Sequence, residues 1–333
     1  MSHSLSIAKT HGSRNDIFVI DGAPEDHFAS ADIARAVTKL CDRKVGLGSD
    51  GVYFVADHGD GTADAWFFNP DGSQALLCGN GMRCAGRLLL DRHAADSYVV
   101  NTGPYAFTIR SADFTPQGVR QVSVELPPAN FLPSDAIVAG VASPFIGKVL
   151  PAFHAVLPVS AVAMPNSHLV SVIDAYDKSD LVATGTRVAD TPEAFPIGAN
   201  VSFVLPIGDG EAFVRTFERG AGLTPSCGSG NSASRAVLSQ LNLADPDQPV
   251  VVRNAGGPAR IWLQERDGGW QPVLEGNATI VYRVETDADA LLADGPLNMV
   301  VGEAYGAEID AFDLLYQDNL KALQAAGVSP DQL

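Results

Sequence analysis

Two cysteines of the 333-residue chain stand in the same local sequence, and this pattern could support proton-transfer chemistry. Cys78 opens the sequence Cys-Gly-Asn-Gly, and Cys227 opens the sequence Cys-Gly-Ser-Gly. The two positions, 78 and 227, are 149 residues apart, which is close to half of the chain. A repeat at such a distance indicates a duplicated structural unit. We therefore expect two related domains, each of which offers one thiol to a shared cleft.

Each cysteine is followed by a segment that is predicted to be helical, residues 81–91 and residues 232–241. A thiol at a helix N-terminus lies at the positive end of the helix dipole, which favours the thiolate. The glycines expose backbone N–H groups that can bind a carboxylate. One thiolate could then remove a proton from one face of the adjacent carbon while the other thiol returns a proton to the opposite face. This pattern favours a two-base epimerase or racemase that needs no cofactor, with the carbanion stabilised by the N–H dipoles.

Other interpretations of these cysteines explain the pattern less well. Cys41 and Cys84 lack the glycine-rich setting and are expected to be buried apolar residues. No second Cys/His pair accompanies Cys78 and Cys84, which argues against zinc. A hydrolase with a cysteine nucleophile would not need two equivalent thiols. Residues 46–51 fit the dinucleotide-binding pattern G-x-G-x-x-G, but a predicted helix precedes them and a predicted strand follows, the reverse of the required order.

The composition and net charge of the chain exclude several classes of protein. The chain has 22 Lys and Arg against 39 Asp and Glu, and the net charge of −17 argues against nucleic acid or an anionic membrane as a partner. Four cysteines are too few for a disulfide scaffold. The N-terminus lacks the apolar segment of a secretory signal, and no run of 18 apolar residues occurs. We expect a cytoplasmic protein that acts on a small molecule.

Short apolar runs bounded by Gly, Pro, Asn or Asp predict many strands and few helices, which is typical of an α+β fold. The expected strands are 17–20, 51–55, 65–68, 98–100, 122–126, 169–173, 201–205 and 211–217. Besides the two segments after the thiols, helices are expected over 31–41 and 307–326. The last of these lies in an acidic stretch and has apolar residues at helical spacing, so it is expected to dock on the main body or on a partner.

Several further segments resemble the diaminopimelate epimerase family, within the wider fold superfamily of proline racemases and phenazine-type isomerases. They occur in family order over about residues 10–283. The matching segments are 15–21, 41–51, 69–73, 78–84, 166–168, 200–204 and 218–222, the last of which leads into Cys227-Gly-Ser-Gly. The two cysteine loops together with the Glu-Arg-Gly-Ala-Gly lead-in are a specific signal, whereas each one alone would be weak.

The resemblance implies roles for particular residues. Cys78 and Cys227 would be the acid/base thiols, and His168 and Glu218 would flank them as the polar pair that binds the α-ammonium region. The residues that would bind the α-carboxylate through backbone N–H groups are Gly79, Asn80, Gly228 and Ser229. The residues that would hold the far end of diaminopimelate are Asn15, Asn69, Asn166, Asn200 and Arg219. The guanidinium of Arg219 suits a distal carboxylate, which it can bind in a bidentate manner.

The resemblance also implies an architecture. We expect two pseudo-symmetric domains, each a curled, mostly antiparallel sheet around a central helix. The first would span residues 1–126 with a returning strand at about 273–284, and the second residues 127–272. An acidic C-terminal extension with a helix would follow over 285–333. No metal, pyridoxal phosphate or nucleotide is implied, and the resemblance implies a homodimer.

The expected activity is the conversion of LL-diaminopimelate to meso-diaminopimelate. Two alternatives stay open: a racemase or epimerase of another amino acid, such as a histidine-like compound or a precursor in secondary metabolism, and a non-catalytic amino-acid-binding protein. Two departures from the family pattern bear on the substrate. Leu77 stands where a polar residue is common, and Leu223 stands where the family has Glu. Both positions are close to a thiol in the sequence, so both are candidates for reshaping the pocket.

Overall fold

The computed structural model describes residues 4–266, 269–297 and 300–333. The chain divides into two compact units. The first unit comprises Met1–Val124 and Gly276–Leu315, and the second unit comprises Glu125–Glu275 and Tyr316–Leu333. The boundaries predicted from the sequence lie a few residues from these limits. The C-terminal residues 285–333, expected as a separate extension, are instead divided between the two units.

The first stretch of the chain contains eight strands and three helices. In chain order they are β1 (Ser4–Gly12), β2 (Asn15–Asp21), α1 (Pro24–His27), α2 (Ile33–Cys41), β3 (Val52–Asp57), β4 (Thr62–Phe68), β5 (Gln74–Ala75), α3 (Gly79–His93), β6 (Ser97–Thr102), β7 (Tyr105–Ala112) and β8 (Gln121–Glu125). Residues 46–51 lie between α2 and β3, so the helix-before-strand order expected from the sequence is present.

The remaining elements follow in two groups. The middle of the chain forms α4 (Ser134–Ile137), β9 (Lys148–Val149), β10 (Pro158–Met164), β11 (Asn166–Val172), α5 (Lys178–Asp190), β12 (Asn200–Gly208), β13 (Glu211–Glu218), β14 (Gly222–Leu223), α6 (Gly228–Gln240), β15 (Val250–Asn254), β16 (Gly257–Arg266) and β17 (Gly269–Asn277). The end of the chain forms β18 (Thr279–Asp287), α7 (Ala288–Leu292), β19 (Val300–Ala304), α8 (Gly306–Ala325) and a 3-10 turn (Pro330–Gln332). Among the described helices, none is both long and apolar enough to span a membrane.

The two units repeat one order of strand pairing. In the first unit β1–β2 is antiparallel, β2–β3 parallel, β3–β4 and β4–β5 antiparallel, β4–β6 parallel and β6–β7 antiparallel. In the second unit the same sequence of orientations joins β10–β11, β11–β12, β12–β13, β13–β14, β13–β15 and β15–β16. This repetition confirms the prediction of an α+β fold with two pseudo-symmetric halves.

Each sheet curves around one central helix. Helix α3 packs on β1, β2, β3, β6 and β7, and helix α6 packs on β10, β11, β12, β13 and β16. Residues 80–90 of α3 and residues 230–238 of α6 are buried on all sides. A helix that is enclosed in this way has its position fixed by the surrounding strands. Its N-terminus is therefore a rigid place for a reactive side chain.

A second core lies on the outer face of each sheet, under a helix that joins two parallel strands. Helix α2 contributes Ile33, Val37 and Leu40 to the core of the first unit. Helix α5, which the sequence analysis missed, contributes Leu181 and Val188 to the core of the second unit. Its sequence contains glycine and β-branched residues, which have low helix propensity, so packing against the sheet decides its conformation.

The C-terminal residues pack within the units to which they belong. In the first unit the ring of Phe312 lies 4.4 Å from the ring of His11, centroid to centroid. In the second unit Leu323 and Val328 belong to the hydrophobic core. Strand β18 pairs antiparallel with β1, with Val284 opposite Ile7, at the place where a returning strand was expected. These C-terminal residues are therefore part of the packed interior of the units to which they belong.

Candidate active site

Both cysteines of the repeat are the N-cap residues of a central helix. Cys78 caps α3 and Cys227 caps α6. The helices begin at Gly79 and Gly228, earlier than the predicted starts at 81 and 232. The glycine-rich segment is therefore the first turn of each helix, where backbone N–H groups have no acceptor within the helix. Such a turn is suited to bind an anion beside each thiol.

The second glycine of each motif lets the helix start approach a strand closely. A Cβ atom at Gly81 would lie 2.7 Å from the ring of Tyr53 on β3, and a Cβ atom at Gly230 would lie 2.6 Å from Oγ1 of Thr216 on β13. Any side chain at either position would require the strand or the helix to shift. The repeated Cys-Gly-X-Gly sequence thus reflects the same close packing in both units.

Cys78 is half-buried and is held by three groups of the first unit. Its Sγ lies 3.4 Å from Oδ1 of Asn15, to which the thiol donates, and it accepts from the N–H of Gly81 at 3.5 Å. The hydroxyl of Tyr53 accepts from the N–H of Cys78 at 3.0 Å and donates to its carbonyl at 3.3 Å. These contacts fix both the backbone and the sulfur of Cys78.

Two other asparagines of the first unit were predicted to be site residues. Asn80 is buried in the first turn of α3, directly beside the thiol in sequence. Asn69 follows β4, and its side chain donates to Oγ of Ser73 at 3.0 Å, within its own turn. The structure therefore places Asn80 at the helix start, whereas it holds the amide of Asn69 in a turn.

Cys227 is buried and faces a carboxylate. Its Sγ lies 3.2 Å from Oε2 of Glu218, to which the thiol donates, and 3.6 Å from Oγ of Ser229. The hydroxyl of Thr224 donates to the other oxygen of Glu218. Burial raises the pKa of Glu218, and burial together with the Glu218 charge raises the pKa of Cys227 well above its usual value. At rest the proton therefore lies on the sulfur, and Glu218 is the adjacent acceptor in position to receive it when the thiol ionises.

His168, Asn200 and Glu218 lie in a row across three adjacent strands of the second unit. His168 is opposite Asn200 in the parallel β11–β12 ladder. Val201 is opposite Phe217 in the β12–β13 ladder, which places Asn200 beside Glu218. The Oδ1 atom of Asn200 accepts from the N–H of Arg219 at 2.8 Å. Strand register therefore brings together residues that are up to 50 positions apart in the sequence.

His168 is completely buried and neutral. Its Nε2 lies 3.0 Å from Oδ1 of Asn166, and since an amide oxygen only accepts, Nε2 carries the proton. Within the described chain, Nδ1 has no hydrogen-bond partner. Burial lowers the pKa of His168 to about 3. The ring thus presents a buried acceptor lone pair, which is costly unless a ligand satisfies it.

Arg219 lies at the end of the same row and is exposed. Its side chain donates from Nη1 to the carbonyl of Ile197. The guanidinium has five N–H donors in a planar fork, so most of them remain for a ligand after this one contact. Among the described residues, no group of His, Cys, Asp and Glu side chains is arranged to hold a metal ion.

The ladders also show which positions correspond between the units. Phe18, Val52 and Phe68 are aligned in the first unit as Leu169, Val201 and Phe217 are in the second. Counting along the strands from these positions makes Asn15 equivalent to Asn166, and Asn69 equivalent to Glu218. The pair Asn15 and Asn166 is an amide in both units, whereas the pair Asn69 and Glu218 is an amide in the first unit and a carboxylate in the second. The two thiols therefore have chemically different neighbours within one repeated scaffold.

Comparison with known proteins identifies the family. The family model for diaminopimelate epimerase matches residues 7–113 and 160–281. The chain belongs to the diaminopimelate epimerase family. A diaminopimelate epimerase of Enterococcus faecalis is 33% identical over 297 residues, which cover 87% of this chain and 91% of the relative. One of Listeria welshimeri is 34% identical over 315 residues, which cover 92% and 95% of the two chains. This member of the family is thus an isomerase.

Solved structures share the fold of this epimerase at low sequence identity. A phenazine biosynthesis protein of the PhzF family from Bacillus anthracis superposes with a TM-score of 0.61 at 13% identity, covering 85% of this chain and 99% of the other. A hydroxyproline epimerase from Agrobacterium vitis gives a TM-score of 0.58 at 14% identity, covering 86% and 92%. The α+β fold is therefore shared with this phenazine biosynthesis protein and this hydroxyproline epimerase.

The Leu223 departure from the family pattern faces the core of the second unit. Leu223 is opposite Phe217 in the β13–β14 ladder and packs with it against the hydrophobic core under α5. Glu218, one residue on along β13, is opposite Gly222. Since successive side chains of a strand point to opposite faces, Leu223 faces away from the Glu218 carboxylate. Leu77, the other departure, is half-buried next to Cys78.

Three residues of this epimerase that support the thiols were not predicted from the sequence. Tyr53 holds the backbone of Cys78, Thr224 binds Glu218, and Asp50 accepts from the amide of Asn15 at 3.3 Å. Tyr53 was recognised only as part of an apolar strand. Asp50 lies in the segment 41–51 quoted for the family resemblance, which was the available signal for it, whereas Thr224 lies between the segment 218–222 and Cys227.

Proposed function

We propose that this protein converts LL-diaminopimelate to meso-diaminopimelate by proton transfer through Cys78 and Cys227. The observation that carries the proposal is the hydrogen bond from Cys227 to Glu218, at 3.2 Å, at the N-terminus of a buried helix. It gives a thiol an adjacent acceptor for its proton. The relatives that bear the name diaminopimelate epimerase support the substrate. The two units would be the two epimerase domains.

The reaction would begin with the passage of the Cys227 proton to Glu218. The resulting thiolate removes the α-proton of the substrate, so that one C–H bond breaks and one S–H bond forms. Cys78, whose thiol donates to Asn15 at rest, then gives its proton to the opposite face of the carbon. One S–H bond breaks, one C–H bond forms, and no electrons are gained or lost overall. The cycle closes when Glu218 releases its proton to solvent and Cys78 takes up a proton from solvent. In the reverse direction the two thiols exchange roles.

The first turns of α3 and α6 would bind the α-carboxylate. The backbone N–H groups of Gly79, Asn80, Gly228 and Ser229 stand at these helix starts. They supply fixed donors and the positive end of a helix dipole, which also stabilise the negative charge that develops at the carbon. Because the donors are part of the backbone, they need no reorganisation when that charge forms.

His168 would bind the α-ammonium group as a neutral acceptor. With its pKa lowered to about 3, the ring carries no charge that would repel an ammonium. Its Nδ1 lone pair is buried and has no partner among the described residues. An ammonium N–H would satisfy this lone pair, and the nearby Glu218 carboxylate would add an opposite charge. This explains why a histidine rather than an apolar side chain suits the position.

The distal end of diaminopimelate would be held by Arg219 with the asparagines. Arg219 can bind the distal carboxylate with two parallel hydrogen bonds. The amides that would assist it are those of Asn15, Asn69, Asn166 and Asn200. A substrate with a single carboxylate would leave this guanidinium unused. We therefore favour diaminopimelate over the racemisation of a simpler amino acid.

The proposed chemistry sets conditions for the enzyme in the cell. Both thiols must stay reduced, which fits a reducing compartment such as the cytoplasm. The reaction would serve lysine biosynthesis.

The family resemblance further favours a homodimer, and light scattering after size-exclusion chromatography tests it. The acidic net charge of −17 does not favour nucleic acid or membranes as partners.

Chiral analysis of the products tests this function. The reduced protein is incubated with LL-diaminopimelate, and separately with a panel of single amino acids that includes histidine. Formation of meso-diaminopimelate without comparable racemisation in the panel supports the proposal. Racemisation of a panel member alone would keep the chemistry and overturn the substrate. No conversion of any compound, with both thiols shown to be reduced, would favour a binding protein.

A further inference from the structure

Asp50 makes three hydrogen bonds around the start of β2. Its Oδ2 accepts from Nδ2 of Asn15 at 3.3 Å and from the N–H of Asp16 at 2.9 Å, and its Oδ1 accepts from Nη2 of Arg43 at 2.7 Å. Asp50 therefore binds both the backbone beside Asn15 and the amide of Asn15 itself.

The charge of Asp50 decides which way the Asn15 amide points. A carboxylate accepts hydrogen bonds and donates none, so the NH₂ group of Asn15 must face Asp50. The opposite end of the amide, Oδ1, then faces Sγ of Cys78 at 3.4 Å. An amide oxygen accepts a hydrogen bond from a thiol, but it repels a thiolate. An amide turned by 180° would present NH₂ and would favour the thiolate.

We propose that Asp50 is a positioning residue that orients the amide of Asn15 and so keeps Cys78 in its protonated, proton-donating form between turnovers. The inference rests on the proposed function, because that reaction needs one thiol with its proton while the other acts as base. The proposed role of Asp50 makes the surroundings of the two thiols chemically different. Cys227 faces a carboxylate that can take its proton, whereas Cys78 faces an oxygen that holds the proton on sulfur.

Asp50 is itself held in place by opposite charges. Arg43 binds Asp50 at 2.7 Å and Asp16 at 3.0 Å. Asp16 also binds the buried ammonium of Lys9 at 3.0 Å. The pKa of Asp16 is lowered chiefly by Lys9 and Arg43, which more than offset its burial. This ionic network fixes the position of the Asp50 carboxylate, and a fixed carboxylate fixes the orientation of the amide.

Other charged or titratable groups also face Cys78, and the test must keep them constant. The buried guanidinium of Arg83 lies on α3, and the phenol of Tyr53 lies on β3; both interact electrostatically with Cys78. Neither is changed in the variants below. The comparison therefore isolates Asp50 and Asn15 from the rest of the environment.

The test measures the alkylation rate of Cys78 without substrate. In a Cys227→Ser background, Cys78 is the half-buried cysteine, whereas Cys41 and Cys84 are buried. Iodoacetamide reacts with the thiolate, and peptide mass spectrometry reports the labelled residue. Asp50→Asn should raise the rate at pH 7 about threefold, because a tenfold larger thiolate fraction is partly offset by lower nucleophilicity. Arg43→Gln, which removes a charge that does not contact Asn15 directly, should change the rate less.

A double-mutant cycle separates orientation of the amide from simple loss of charge. In an Asn15→Ala background, Asp50→Asn should leave the alkylation rate of Cys78 unchanged, because no amide remains to be oriented. An equal rise with and without Asn15 would show that the carboxylate acts through space, and would overturn the proposal. An unchanged rate in both backgrounds would overturn it as well. Thermal unfolding of each variant confirms that the fold is kept.

The outcome of this test does not depend on whether the proposed function is right. It uses no substrate, so a protein that epimerises another amino acid would still give the same alkylation rates. Conversely, a protein that acts on LL-diaminopimelate with a rate unchanged by Asp50→Asn would retain its function and lose only the role of Asp50. The basic side of the pH–rate profile adds a second readout. Asp50→Asn should move it to lower pH, whereas loss of structure would lower the rate at all pH values.

Discussion

Sγ of Cys227 lies 3.2 Å from Oε2 of Glu218, whereas the corresponding thiol of the first unit, Cys78, lies 3.4 Å from an amide oxygen of Asn15. The scaffold around the two thiols is repeated, strand by strand. The groups that contact the sulfur atoms are not repeated. A carboxylate can remove the proton of Cys227, but an amide oxygen can only hold the proton of Cys78. We relate this asymmetry to the need for one base and one acid at the same time.

Replacing either thiol should abolish epimerisation. Cys78→Ala and Cys227→Ala each remove one of two groups that the proposed reaction needs, so activity should fall to the background rate. The serine variants should retain at most weak activity, since a hydroxyl is a much weaker acid than a thiol. Cys41→Ala serves as control, because Cys41 lies in the core of the first unit. Sustained turnover in either alanine variant, measured by chiral chromatography, would refute the two-thiol mechanism.

Glu218→Gln should lower kcat by about 10²- to 10⁴-fold, the usual contribution of a general base. The amide keeps the shape of the side chain but cannot take the Cys227 proton. Glu211→Gln is a matched control on the same strand, where Glu211 pairs with Arg253 at 2.7 Å. Steady-state kinetics of the two variants check the prediction. Equal losses in both would assign the effect to the fold of β13.

The wild-type pH–rate profile should also report Glu218. Burial raises the pKa of this carboxyl above its usual value, and only its ionised form accepts a proton. Activity should therefore be lost on the acid side at a higher pH than an exposed glutamate would give. If the rate instead falls at the pH at which an exposed glutamate titrates, this result would argue against Glu218 as the proton acceptor.

Buried neutral histidines should make the fold less stable at low pH. Burial lowers the pKa of His168 to about 3, below the value of 6.5 for an unfolded chain. The unfolded state therefore binds the proton first, and stability that is present above pH 6.5 is lost as the pH falls towards 3. This one group should lower the free energy of unfolding by about 2 kcal/mol between pH 7 and pH 5.

Chemical denaturation at several pH values checks this loss. His168→Gln removes the titrating group, so the variant should lose about 2 kcal/mol less than the wild type over the same range. His11, whose pKa burial lowers to about 4, should contribute in the same direction and is left intact in both proteins. Parallel pH dependence of the wild type and the His168 variant would show that His168 is not buried in its neutral form.

Leu223→Glu should affect stability more than catalysis. The leucine packs against the core under α5 and faces away from Glu218. Introducing a charge there should cost about 1 to 3 kcal/mol of unfolding free energy and leave kcat within a few-fold. Leu243→Glu, at a leucine that is 55% exposed, should cost much less. A changed substrate preference with unchanged stability would place Leu223 at the substrate instead.

Arg219→Lys should reduce kcat/KM for diaminopimelate by at least about tenfold, because an ammonium cannot make the bidentate contact with a carboxylate. The loss should appear mainly in KM if the distal carboxylate is bound equally in the ground state and the transition state. An analogue without the distal carboxylate should be affected little. Similar losses on both compounds would remove Arg219 from the distal site.

The sequence predicted the parts of this protein that depend on local patterns. The repeated Cys-Gly-X-Gly motif indicated the duplication, and apolar runs such as 201–205 indicated strands that the structure contains. The starts of α3 and α6 were placed too late, because glycine disfavours helix in general. Here the glycines are required in the first turn, since Tyr53 and Thr216 leave no room for a Cβ atom.

The neighbours of the thiols could not be found in this way. The contact between Asn15 and Cys78 joins positions 63 apart, and the row of His168, Asn200 and Glu218 depends on the register of three strands. Register is set by tertiary packing and turn geometry, which a single sequence does not display. Helix α5 was missed for a related reason, since packing of Gly185 against Phe217 outweighs its low helix propensity.

Deuterium incorporation at early conversion tests the two-thiol account most directly. LL-diaminopimelate is incubated with the reduced enzyme in deuterated water and examined by NMR while less than about a tenth has reacted. The thiol that removes a proton differs from the thiol that returns one, so the product should gain solvent deuterium while the remaining substrate stays protonated. The account predicts meso-diaminopimelate deuterated at the inverted carbon and undeuterated LL-diaminopimelate. Equal deuterium in both compounds, or a product that keeps the substrate proton, would contradict it.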